Sequence, residues 1–197
     1  MRVTKESIDR LFDYDVHVET RTIYIGDSTE GELDYLTAKN TIKALHILQS
    51  FSIDRPINVI LNTFGGCWYN GMAIYDAVRG CPCHVVVTAI GAAMSMGSII
   101  LQAADERVIY PNATLMIHDG YETRVDDAPN TFQNWAEHSK VCQARMYAIY
   151  SERSGKQPGF WKRKCASDSI LTAEKAVEIG LADRIFKPPV GVANAGM

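Results

Sequence analysis

Residues 84–104, HVVVTAIGAAMSMGSIILQAA, decide the fold. His84 to Ile90 is a β-branched apolar run that suits a strand covered on both faces. Gly91 to Gly97 is a chain of small residues that reads as a tight turn. SIILQAA then reads as an apolar helix. A buried strand that turns directly into a helix is the repeating unit of an α/β domain.

The same alternation extends in both directions. Upstream, Ile57 to Leu61 is another β-branched strand, followed by a Gly65-Gly66 turn and a helix over about 70–79 that stops at Gly80. Leu33, Leu36, Leu45 and Leu48 fall at helical spacing and predict a long helix over 32–50, ended by Pro56. Arg21 to Ile25 reads as a strand, and residues 5–12 as a short amphipathic helix. Downstream, Arg107 to Tyr110 and Thr114 to Ile117 are strands separated by Pro111-Asn112. Residues 119–130 read as a polar loop or weak edge strand, and 131–153 as a long helix. Thr172 N-caps a helix that Gly180 ends, and Ala182 to Phe186 is a last strand. The expected fold is therefore α/β with a mainly parallel sheet.

Composition bounds the function. The 197 residues are 47% hydrophobic and 22% charged, with a formal net charge of −3. This describes a folded domain, not a disordered chain. No Lys/Arg block marks a nucleic-acid surface. The longest apolar stretch, Val85 to Leu101, is broken by Thr88, Ser95, Ser98 and glycines, so no membrane span is expected. The N-terminus lacks an apolar signal core, and the expected location is the cytoplasm. Five cysteines fit no disulfide framework. Cys81-Pro-Cys83 is an isolated pair that reads better as reduced thiols than as a zinc site, so no metal is expected.

Candidate chemistry lies in the turns. Serine needs a base, and its oxyanion needs fixed donors. Ser95 falls at the start of a helix, where backbone N–H groups gather; on its own such a turn usually serves close packing. In a parallel sheet the strand ends lie on one side, which brings Asn62-Thr63-Phe64-Gly65-Gly66 near Ser95. A glycine there can present a bare N–H. His118 ends a strand, whereas His46 and His138 lie in helices, His17 is near the terminus and His84 begins a strand.

Four segments give these positions a context: NTFGG (62–66) with GMAIYDAV (71–78), GAAMSMGSIILQAAD (91–105), YPNATLMIH (110–118) and DSILTAEKAVEIGLAD (168–183). In this order they resemble the proteolytic subunit of the Clp protease, over roughly residues 21–187. The resemblance implies a crotonase-like fold of repeated β-β-α units. It makes Ser95 the nucleophile, His118 the general base and Asp168 the acid that orients it. Gly66 and Met96 match the backbone oxyanion donors. Residues 1–20 form an N-terminal segment, about 119–153 a handle, and 188–197 a tail. The implied activity is a serine endopeptidase acting on unfolded chains inside two stacked heptameric rings. It needs no cofactor of its own; ATP enters only through a partner unfoldase of the AAA+ class. Trp68 and Tyr121, judged by position, would line the substrate groove.

The sequence departs from the family at five places. Phe64 stands where the family has Pro, Asp119-Gly120 where it has Gln-Pro, and Ser167 where it has an Arg that pairs across rings. Residues 1–18 do not match the pore loops that engage an unfoldase, and 119–130 lacks the usual glycines. These departures keep open a phage-type or accessory homologue, such as a capsid maturation protease or an unfoldase-independent peptidase. A crotonase-fold acyl-CoA enzyme and a non-catalytic ring subunit are the other classes. The Ser-His pair argues against the former and the complete triad against the latter.

Overall fold

The computed structural model describes residues 13–27, 32–120 and 129–188, together with Asp9 and Leu11. Most of the expected helix over 5–12, Tyr121, most of the loop 119–130 and the tail beyond 188 lie outside the described residues.

The chain is mixed α/β. Its strands are β1 (Val16–His17), β2 (Thr22–Gly26), β3 (Ile57–Thr63), β4 (Val85–Met94), β5 (Glu106–Ile109), β6 (Thr114–Ile117), β7 (Ser169–Leu171) and β8 (Arg184–Ile185). The helices are α1 (Tyr35–Phe51), α2 (Trp68–Arg79), α3 (Met96–Leu101), α4 (Pro129–Ser154), α5 (Pro158–Cys165) and α6 (Ala173–Glu178). Sheet order is β1-β2-β3-β4-β5-β8, with β6 beside β4 and β7 beside β6. Pairing is parallel except at β1–β2 and β6–β7.

Apolar side chains of β3 and β4 alternate into the core, with Ile57, Val59, Leu61, Val85, Val87 and Ala89 buried. Helix starts follow capping chemistry. Asp34 accepts from Thr37 N–H at the head of α1, and Thr172 accepts from Lys175 N–H at the head of α6. No helix among the described residues is long and apolar enough to cross a membrane.

Two sequence expectations change. Gly91 to Met94 is not a turn but the second half of β4. Its first half pairs with β5, and Ala92 to Met94 pair with β6. The turn itself shrinks to Ser95. The segment around 158–171, left without elements by the sequence reading, holds α5 and β7.

Candidate active site

Strand register assembles the site. Met94 pairs with Met116 in parallel β4 and β6, so Ser95 emerges one step from His118. In antiparallel β6 and β7, Ile117 pairs with Ser169, so the next position along puts Asp168 opposite His118. Thr63 pairs with Ala93 in parallel β3 and β4, which brings Gly65 level with Ser95. Three separate pairings thus bring four distant segments to one edge of the sheet.

Ser95 has φ 49° and ψ −118°. A positive φ is uncommon outside glycine and is sustained only when surrounding contacts impose it. Here its N–H donates to Met116 C=O at 2.9 Å, and its C=O accepts from Ser98 N–H at 3.0 Å and Ser98 Oγ at 2.6 Å. The turn lifts the side chain out of the sheet. Ser95 Oγ lies 2.8 Å from His118 Nε2. His118 Nδ1 lies 3.6 Å from Asp168 Oδ1, and the Asp168 side chain is 68% exposed. That pair is electrostatic at this distance, and it gains strength as the imidazole acquires charge.

Ser95 N–H is already engaged, so Met96 N–H is the next donor beside Oγ. Among the described residues neither Met96 N–H nor Gly66 N–H has a hydrogen-bond partner. Gly65 permits this approach, since a Cβ there would lie 2.6 Å from Ser95 Cβ. Gly66 is pressed against Leu33, whose N would lie 2.6 Å from an added Cβ. Both glycines have positive φ, 111° and 148°.

A cleft of ≈ 530 Å³ opens beside Ser95 and His118, lined also by Gly66, Trp68, Met96 and Met146. Trp68, the first residue of α2, therefore stands at the cleft. Asp119, next to His118 in the chain, turns its carboxylate to the Tyr147 hydroxyl, which donates to Oδ1. Burial, and then the Asp119 charge, push the Cys165 thiol up to about 12. A thiol held that high carries no thiolate at neutral pH and is no rival nucleophile.

Sequence reading missed three contacts around the site: Ser98 with Tyr150, Tyr147 with Asp119, and Asp27 with Thr63. Each joins residues at least 28 positions apart, beyond any local pattern. The only signal available for the last was the Phe64 departure, which left a turn N–H in need of an acceptor.

The family model described as Clp protease matches residues 6–189. The ATP-dependent Clp protease proteolytic subunit 1 of Salinibacter ruber (strain DSM 13855 / M31) is 28% identical over 174 residues, which cover 86% of this chain and 71% of that protein. The chain belongs to the Clp protease family and is a serine-type peptidase.

Proposed function

We propose that Ser95, His118 and Asp168 hydrolyse peptide bonds through an acyl-enzyme. The observation that carries the reading is the 2.8 Å approach of Ser95 Oγ to His118 Nε2, beside Met96 and Gly66 N–H groups that have no hydrogen-bond partner among the described residues. His118 Nε2 takes the hydroxyl proton as Oγ attacks the peptide carbonyl. Met96 and Gly66 N–H receive the oxyanion. His118 then gives the proton to the leaving amine, and Asp168 stabilises the imidazolium between the two transfers. Water repeats the sequence in reverse on the ester, with His118 again as base. These steps use no metal and no bound cofactor.

The substrates are unfolded polypeptides or peptides, and the working form is a closed ring assembly, two stacked heptamers by family resemblance. An accessible serine peptidase with so open a site would cut neighbouring proteins at their mobile loops, which supports enclosure. An ATP-driven unfoldase is the natural supplier of chains to such a chamber, and the cytoplasm its natural location.

Labelling with a fluorophosphonate, read by mass spectrometry, tests the reading. The adduct is expected on Ser95 alone, and Ser95→Ala should abolish peptide hydrolysis while assembly persists. A variant that kept a tenth of wild-type activity would remove Ser95 from the mechanism.

A further inference from the structure

The turn that carries Gly66 is gripped from outside the sites described so far. Gly26, the last residue of β2, pairs with Asn62 of β3, so the next residue, Asp27, falls beside Thr63. Its carboxylate takes two hydrogen bonds. The Thr63 hydroxyl donates to Oδ1, and Phe64 N–H donates to Oδ2 at 3.0 Å. Thr63 Oγ1 in turn accepts from Gly65 N–H at 2.9 Å. One carboxylate therefore fixes three consecutive residues, Thr63, Phe64 and Gly65, immediately before Gly66. Bonds to an ionised acceptor are the stronger kind.

Packing of Phe64 does not hold this turn, because its side chain is 66% exposed. On the far side Leu33 N–H donates to Gly65 C=O at 2.7 Å. Asp27 and Leu33 thus clamp the turn from two directions. Gly65 has no slack against Ser95, so any shift of the turn moves Gly66 relative to Oγ.

We propose that Asp27 is a positioning residue that sets the place of the Gly66 N–H relative to Ser95 through the Asp27–Thr63–Phe64 contacts. The proposal rests on the peptidase reading above. Asp27 touches no reacting atom. Its effect falls on the transition state, where the oxyanion must meet a donor placed in advance. Ground-state binding of a peptide in the cleft does not depend on that placement.

The test uses the full-length protein with Asp27→Ala, Asp27→Asn and the double variant Asp27→Ala/Phe64→Pro. A short fluorogenic peptide gives kcat and KM. A peptide boronate, whose tetrahedral adduct with serine puts an oxygen in the oxyanion site, reports the donors directly. Asp27→Ala should lower kcat roughly 10- to 100-fold, the scale of a misplacement near 1 Å. KM should stay within about threefold, and boronate affinity should weaken by the same factor as kcat. Asp27→Asn offers only one acceptor to two donors and should give the same split to a smaller degree. It carries the test should the alanine variant fail to fold. Proline at 64 removes the N–H that Asp27 satisfies and fixes φ, and Thr63 already has the extended backbone that precedes a proline. The double variant should recover part of kcat.

Wild-type kcat and boronate affinity in both single variants would overturn the proposal, as would a fall in kcat with boronate affinity unchanged. Ser95→Ala, run alongside, separates the two readings. If it is inactive, such results remove only the role of Asp27. If it is active, the peptidase assignment itself falls.

Discussion

The hydroxyls of Ser98 and Tyr150 lie 2.7 Å apart, and both side chains are fully buried. Ser98 Oγ also donates to Ser95 C=O, so Tyr150 must donate to Ser98. The long helix α4 is thereby bonded, through one side chain, to the backbone of the residue with positive φ. Burial raises the Tyr150 phenol well above its ordinary value, although the Ser98 bond pulls the other way. It stays a donor throughout the physiological range.

Ser98→Ala leaves the buried Tyr150 hydroxyl unpaired and should cost about 1–3 kcal/mol. Tyr150→Phe removes the donor instead and should cost about 1 kcal/mol. The double variant should cost less than the two combined, because no orphaned hydroxyl remains. Urea unfolding of the four proteins measures the coupling. Strict additivity would show that the pair contributes nothing as a pair.

Asp168→Asn should lower kcat on the order of 10³, less than the roughly 10⁴ seen when a buried triad acid is replaced. The reason is the 3.6 Å separation and the exposure of Asp168, which let water share its task. Asp119→Asn should cost far less, since Asp119 already binds Tyr147. Steady-state kinetics of both variants decide it. The reverse ranking would make Asp119 the third member.

Arg107 is 5% exposed and is held by Asp183, Gln102 Oε1 at 2.6 Å and Gly180 C=O at 2.8 Å. Burial pushes the Asp183 carboxyl up, but hydrogen bonds from Arg107 outweigh it and hold it below the ordinary 3.8. A lowered folded value means stability present above 3.8 and lost as pH falls through the lower value. Asp183→Asn should therefore cost roughly 2–3 kcal/mol at neutral pH, below the range for a fully buried pair because Asp183 is partly exposed. The gap to wild type should begin to close as pH falls through about 4 and go on closing at lower pH. Thermal midpoints over this fall in pH provide the measurement. A gap that widens on acidification would assign the stability elsewhere.

Much of the fold was legible because β3, β4, α1 and α6 carry strong local signals: β-branched runs, helical leucine spacing and a Thr172 cap. The strand at Gly91 to Met94 was not, because glycine and alanine have low strand propensity and only pairing with β6 makes them extended. Strand β7 is three residues long with Ile170 71% exposed, so periodicity could not mark it. Its pairing with β6 is what sets Asp168 opposite His118. Pro158 at the first turn of α5 is a usable start signal for that helix. The candidate site residues stand out by motif; their geometry comes from register, which no motif states.

The last prediction concerns α4. Its 26 residues would span about 39 Å at helical rise. From Met146 onward the helix is anchored, with Met146, Ile149 and Tyr150 buried. Between 131 and 145 its residues are exposed or only half-buried, including Phe132 at 55% and Val141 at 53%. In a lone protomer these apolar side chains stay in water, whereas a second ring packed along the helix would cover them. Phe132→Asp and Val141→Asp should then split the double ring into single rings and leave the protomer fold intact. Met146→Asp should instead destabilise the protomer, since that side chain is 4% exposed. In the double ring proposed above, Ser167, standing where the family has an Arg that pairs across rings, would leave apolar contact along α4 as the main inter-ring contribution. High salt should accordingly split the wild type little. Sedimentation velocity of the wild type and the three variants, with far-ultraviolet circular dichroism as the check on folding, separates these outcomes. A wild type that sediments as a fully active monomer or dimer would rule out the enclosed chamber.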